Sequence, residues 1–290
     1  MRLPGTDDRP LSHSESFRPT LNRIRGLVPP LVAFALVTLA AIALSWVPVA
    51  RPWANWKPDY CRAVNCYCEP FRAGLVAQPI SAYSNLGFVL VGLMILGATS
   101  AFAPQPPADP APNLMRRHRA YPLVFGAAVL AIGFGSLFYH ASLTAVGEWF
   151  DLMGTYLFTG FLMLYNLARL RPLRGATFAA AYLAINGALG VQMVVSPRLQ
   201  QLCFGGLAGS ALVFEIAVHF FRRPRVAWRY LVAALACFVI GGILWVLDGE
   251  VLLCAPGSWR MWHAVWHVLT AASAGLMVLY YLSETRVAVI

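Results

Sequence analysis

The sequence predicts an all-α, polytopic transmembrane helix bundle, and three observations carry that prediction. Of its 290 residues, 59% are hydrophobic and only 12% charged, about half the charged share of an ordinary soluble domain. Apolar runs recur at nearly regular spacing, several of them near the ~20 residues that cross a bilayer. The runs are continuous rather than alternating, which argues against a membrane β-barrel.

Read in order, the runs predict spanning helices over about 28–49, 80–103, 121–142, 148–168, 176–196, 199–221, 228–248 and 260–283. Residues 1–27 form a polar, Arg-bearing tail, and 28–49 a first helix separate from the rest. "VPVA" at 47–50 resembles a cleavage site. The apolar run before it is longer than that of a signal peptide, so an uncleaved anchor is expected. Residues 50–79 make a cysteine-containing loop, 80–283 a seven-helix bundle, and 284–290 a short tail. The Pro/Ala-rich stretch "APQPPADPAPN", 103–113, reads as an extended linker.

The net charge of +10 invites a nucleic-acid reading, and its distribution argues against one. Threading eight helices puts the basic residues of the N-terminal tail, of 116–119, of 169–174, of 222–229 and Arg286 on one side, sixteen in all. The other side has six: Arg51, Lys57, Arg62, Arg72, Arg198 and Arg260. That asymmetry follows the positive-inside rule and predicts that both termini are cytoplasmic. Cys61, Cys66, Cys68 and Cys254 then fall in outer loops, as expected for disulfides in an oxidising compartment. Four cysteines allow three pairings, and "NCYCE" also admits a metal-site reading.

The same threading sorts the histidines. His13, His118 and His219 fall on the basic side, where headgroup or solvent contact accounts for them. His140 closes the third span, while His263 and His267 open the eighth, so three imidazoles meet at one depth. Ionisable groups at membrane depth are functional suspects, and three histidines with an open position are a frequent ligand set for catalytic zinc. His263 and His267, separated by Ala264, Val265 and Trp266, supply no base of their own. Asp151, at the start of the fourth span, is the expected general base. Ser136, one turn deeper than His140, is placed to hold a water or an oxyanion. Asp248, Glu69 and Trp266 are the further residues expected around the site. Each residue alone has an ordinary role open to it: Trp262 and Trp266 in an aromatic belt, Asp248 beside Arg260, Asp151 at a helix N-terminus. Their convergence on one face favours a site.

"SAYSNLGF" (81–88), "GFGSLFYHASL" (133–143) followed by Asp151, "WVLD" (245–248) and "HAVWHVLT" (263–270) resemble the alkaline ceramidase family. That family belongs to a superfamily of seven-helix membrane hydrolases that also holds adiponectin-receptor-like proteins. The resemblance covers about residues 60–285 and makes the first span an added helix. It implies Zn2+ on His140, His263 and His267, with Ser136 and Asp151 catalytic. It also implies a disulfide between Cys68 and Cys254, and structural roles for Ser84 and Asn85. The implied reaction is hydrolysis of a sphingolipid-type linear amide, drawn from the bilayer, to a fatty acid and a long-chain amine. Gln78 stands where relatives that bind Ca2+ have a carboxylate, and a hard cation needs several oxygen ligands, which argues against calcium here. "DLMG" replaces an acidic stretch after Asp151, so an N-acyl lipid other than ceramide is also open. One lysine among 22 basic residues points to a GC-rich genome and a bacterial inner membrane, with the site facing the periplasm (the ER or Golgi lumen in a eukaryote). The rival reading is a lipid-sensing, receptor-like protein with structural zinc.

Overall fold

Within a bilayer every backbone N–H and C=O needs a partner inside the protein, and a continuous apolar run meets that demand most directly as an α-helix. A computed structural model of the chain describes residues 13–49, 52–59, 61, 67–99, 113–249 and 261–285, with side chains from residue 26 onward. Its helices are α1 (His13–Ser45), α2 (Pro79–Ser84), α3 (Leu86–Ala98), α4 (Leu114–Arg117), α5 (Ala120–Ser142), α6 (Ala145–Leu170), α7 (Gly175–Val195), α8 (Gln200–Arg222), α9 (Trp228–Gly249) and α10 (Trp262–Leu282). Among the described residues, seven segments are long and apolar enough to cross a membrane: Gly26–Ser45, Pro79–Ala98, Ala120–Ser142, Gly175–Val195, Pro197–Arg222, Trp228–Asp248 and Trp262–Leu282. The chain is an integral, multi-pass membrane protein with an all-α fold.

Helix α6 is not among those seven, because it carries Glu148, Asp151, Asn166 and Arg169. Its 26 residues still make a helix about 39 Å long, packed against α5, α7 and α8. It is the polar spine of the bundle. Helix α1 is the opposite case: only 11% of its apolar window is buried, and it lies against α3 alone among its well-packed neighbours.

Two boundaries differ from the sequence reading. Helix α1 starts at His13, inside the expected tail, and ends at Ser45, whose hydroxyl donates back to the Ile42 carbonyl at 2.6 Å. The second span ends at Ala98, where the Thr99 hydroxyl donates to the Leu96 carbonyl, and it is interrupted at Asn85. The Pro/Ala-rich linker up to Pro112 lies outside the described residues, as do Cys66, Cys254 and Arg260.

Glycines bring α5 and α6 into backbone contact. A Cβ on Gly135 would stand 2.4 Å from the Phe150 carbonyl oxygen, and one on Gly154 would stand 2.7 Å from the Ile132 backbone. Only a residue without a side chain permits that approach, the usual route to tight helix packing in membranes. The α5–α6 turn is closed by Leu143 in the left-handed region (φ 48°) and by the Thr144 hydroxyl, which accepts from Gly147 N at 3.1 Å. Segment 57–59 straps this turn: Asp59 N donates to Leu143 O at 3.2 Å and Ala145 N to Lys57 O at 2.9 Å.

The opposite end of the bundle holds a charged cluster, and it corrects two expectations. Arg169, read as a basic turn residue, is buried with its side chain 1% exposed. It pairs with Glu215 of α8, and its Nε donates to Glu284 beyond α10 at 2.8 Å. His219, read as a headgroup contact, instead approaches Glu215 Oε1 at 3.0 Å and Tyr280 Oη at 2.7 Å. Tyr280 donates to Glu215, and Tyr281 donates to Asn166 at 3.0 Å. Taking one partner from a buried ion pair strands the other charge, at about 3–5 kcal/mol. Arg169→Met is therefore expected to lower stability by about that amount, read as a fall in the thermal midpoint in detergent. A midpoint equal to wild type would contradict the clamp.

Candidate metal centre

The site lies where α2, α5 and α10 meet, at the end of the bundle marked by the α5–α6 turn. His140 ends α5, and His263 and His267 occupy the first two turns of α10, one turn apart and therefore on one face. All three are buried, and their ligand nitrogens lie within 4.8 Å of one another. The Nε2 atoms of His140 and His263 are 3.1 Å apart.

Hydrogen bonds outside the cluster decide which nitrogen faces inward. The Nδ1 of His140 meets Gln78 Oε1, an acceptor, at 2.9 Å, so Nδ1 carries the proton and Nε2 presents a lone pair. Gln78 is held in turn, its Nε2 donating to the Glu69 carbonyl at 2.8 Å. The Nδ1 of His267 lies 3.1 Å from the Ser81 carbonyl and 2.8 Å from Ser84 Oγ, whose own proton goes to Ser81 O at 2.7 Å. That arrangement again puts the proton on Nδ1. Asn85 acts through the shared acceptor, its Nδ2 donating to Ser81 O at 2.9 Å. Ser84 and Asn85, assigned purely structural roles by the resemblance, therefore orient a histidine.

The donor set fits a transition-metal ion. Ligand nitrogens on one tetrahedral ion stand about 3.3 Å apart, close to the 3.1 Å between His140 and His263. Inward-facing lone pairs repel one another in a buried site, and a shared cation removes that repulsion. Three imidazoles leave a fourth position open, as in catalytic rather than structural sites.

Across from the cluster, the Gly135 contact sets Ser136 of α5 against the start of α6, beside the Asp151 carboxylate. The three histidines gather as the sequence implies, and Ser136, one turn from His140, has Asp151 beside it. A family-wide sequence model described as Ceramidase matches residues 67–287. The chain belongs to the ceramidase family. No curated protein matches it. The ceramidase match begins at Tyr67 and leaves α1 outside, in keeping with an added helix.

The remaining expected residues divide. Both carboxylate oxygens of Glu69 are occupied at the first turn of α2, accepting from Ile80 N at 2.8 Å and Ser81 N at 2.7 Å. Its link to the metal centre runs through Gln78. Asp248 holds the loop, accepting from Cys68 N at 3.1 Å. Cys68 and Cys61 are not free thiols, whereas Cys203 and Cys237 are. The pairing of Cys68 with Cys254 lies outside the described residues. Trp266 is a correction: its ring turns towards α9, meeting Phe238, Trp245 and Gly241. On a helix whose buried face carries His263 and His267, the intervening tryptophan packs elsewhere.

The sequence reading weighed Gln78 only against calcium, not as a partner of His140, and three more residues of this end escaped it. Tyr67 lies over the cluster, its ring centroid 4.2 Å from that of His263 and 5.2 Å from that of His140. Tyr139 donates to Asp59 Oδ2 at 2.5 Å, and the Tyr67 and Tyr139 hydroxyls are 3.5 Å apart. Burial pushes the pKa of the Tyr67 phenol up, so it remains a protonated donor at neutral pH. A polar residue beside an expected ligand, as Tyr139 is beside His140, was the available signal.

Partners of metal-ligating imidazoles typically change metal affinity by about 10–100-fold. Gln78→Leu should weaken metal binding within that range, and Trp266→Phe should leave it unchanged. Competition with a chelating dye, followed by absorbance, measures both. Equal affinities in Gln78→Leu and wild type would remove Gln78 from the site.

Proposed function

We propose that this ceramidase-family protein is a zinc-dependent hydrolase of the membrane, cleaving the amide of ceramide or a related N-acyl lipid to a fatty acid and a long-chain amine. The observation that carries the reading is the buried histidine triad beside the Ser136–Asp151 pair, inside the region that matches the family. His140, His263 and His267 would hold the zinc, which when bound would supply Lewis acidity to an amide carbonyl and to water.

The chain's own groups account for the proton. Asp151 accepts a proton as the oxygen of water bonds to the carbonyl carbon. Ser136, beside that carboxylate, is placed to orient it by hydrogen bonding. As the C–N bond breaks, the proton on Asp151 passes to the departing nitrogen, which leaves as a neutral amine. The atoms balance with one water consumed. The apolar walls of the bundle suit an acyl chain arriving from the bilayer.

The orientation follows the arginine distribution: both termini face the cytoplasm and the metal centre faces the periplasm or lumen. An oxidising outer side suits the Cys68–Cys254 disulfide. Domains follow the same division, with an N-terminal anchor and a catalytic bundle.

Purified wild type is expected to hold near-stoichiometric zinc, lost in His140→Ala, His263→Ala and His267→Ala, as metal analysis would show. Folded wild type without zinc would sink the reading. Asp151→Asn should keep zinc and lose at least about 100-fold in turnover, the lower reach of general-base catalysis. A lipid sensor with structural zinc would instead show the same ligand-induced response in Asp151→Asn as in wild type.

A further inference from the structure

The three histidines are supported unequally. His140 bonds Gln78, and His267 bonds Ser81 O and Ser84 Oγ. The Nδ1 of His263 is buried and has no hydrogen-bond partner. What lies against His263 is the ring of Tyr67, whose 4.2 Å centroid distance is shorter than the 4.4 Å between His263 and His267.

The hydroxyl of that ring is free to act. Tyr139 has a single hydroxyl proton, and the 2.5 Å bond to Asp59 Oδ2 takes it. Tyr139 can therefore only accept from Tyr67, at 3.5 Å, the long limit of a hydrogen bond. The Tyr67 proton is thus aimed by Tyr139 without being firmly used. The ring covers both His263 and His140, which sets the phenol at the rim of the histidine cluster. Its backbone is fixed by the next residue, since Cys68 is not a free thiol and its N–H bonds Asp248.

We propose that Tyr67 is a further catalytic residue: its phenol donates a hydrogen bond to the oxyanion that forms on the substrate carbonyl when water adds. The inference rests on the hydrolase reading above. No proton is transferred, because the phenol keeps its hydrogen throughout while the oxyanion gains a donor. The Tyr139–Asp59 pair is its positioning group, pinned to the α5–α6 turn by the 57–59 strap. A hydrogen-bond donor that strengthens as charge develops acts on kcat, and loss of one such donor typically costs about 100-fold or more.

The test compares wild type with Tyr67→Phe, which keeps the ring on His263 and removes only the hydroxyl. Both are assayed on a ceramide with a fluorescent dodecanoyl chain, alongside zinc content and thermal midpoint. The expected result is a fall in kcat of about 100-fold, with zinc content and midpoint as in wild type. An unchanged kcat overturns the proposal, whatever happens to KM. A fall accompanied by zinc loss also overturns it, since the residue would then act only through the metal site. Binding of dodecylphosphonate, whose tetrahedral oxyanion resembles the intermediate, gives a readout that needs no turnover. Tyr67→Phe should weaken it at least about 10-fold, the loss of one charge-assisted hydrogen bond, and equal affinities overturn the proposal. Wild type that holds zinc but leaves the labelled ceramide intact would count against ceramide as the substrate, while the phosphonate comparison still decides Tyr67.

Discussion

Everything polar in this bundle depends on how closely α5 approaches α6. Gly135 allows the Phe150 carbonyl to come within 2.4 Å of where a Cβ would be, and Gly154 repeats the contact about one turn further along. A methyl group at Gly135 would have to displace backbone, and backbone in a packed helix pair yields little. The contact therefore fixes α6 in depth and rotation, and with it the carboxylate of Asp151 against Ser136. His140 then follows one turn above Ser136 on the same helix. A catalytic pair drawn from two helices is only as well placed as the helices are.

The metal centre shows a second constraint, that a buried imidazole must have its tautomer imposed from outside. Two of the three histidines meet it through loop and helix-end groups. Gln78 precedes α2, and Ser81, Ser84 and Asn85 surround the irregularity between α2 and α3. The break at Asn85 is therefore connected to the chemistry: an uninterrupted helix would spend the Ser81 carbonyl on its own ladder, whereas here that oxygen receives the Asn85, Ser84 and His267 donors. Glu69 takes over the N–H groups at the start of α2, which lets so short a helix sit buried against α5 and α10.

How much of this could be read beforehand follows from what a sequence encodes locally. The spanning helices were legible because apolarity is a property of each run by itself, and the convergence of His140, His263 and His267 followed from counting those runs. Ser136 and Asp151 were legible for the same reason, since each lies within a turn or two of a helix end. The Asp59–Tyr139 and Gln78–His140 bonds were not, because they join residues 80 and 62 positions apart through loops that have no period. Trp266 was misplaced by proximity in sequence, for a neighbour of two ligands on a helix faces away from both. Arg169 and His219 were misread because a helix-end position gives depth and not direction. Glu215 held the missing signal, as an acid inside an apolar run calls for a buried cation.

The charged clamp and the metal centre occupy opposite ends of the same two helices. On α6, Asp151 and Arg169 are 18 residues apart, and on α10 so are His263 and Tyr281. Eighteen residues make about five turns at 3.6 residues each, so both members of each pair lie on one face. Whatever fixes the rotation of α6 and α10 at the clamp thereby fixes which residues face inward at the metal centre, some 27 Å away at 1.5 Å per residue. Arg169 joins α6 to the segment after α10 through Glu284, and Tyr281 joins α10 to α6 through Asn166. A helix pinned in this way at one end and by glycine contacts along its length cannot turn its polar residues towards lipid without breaking buried ion pairs. The clamp takes no part in the chemistry, but it holds the helices at the rotation the chemistry requires.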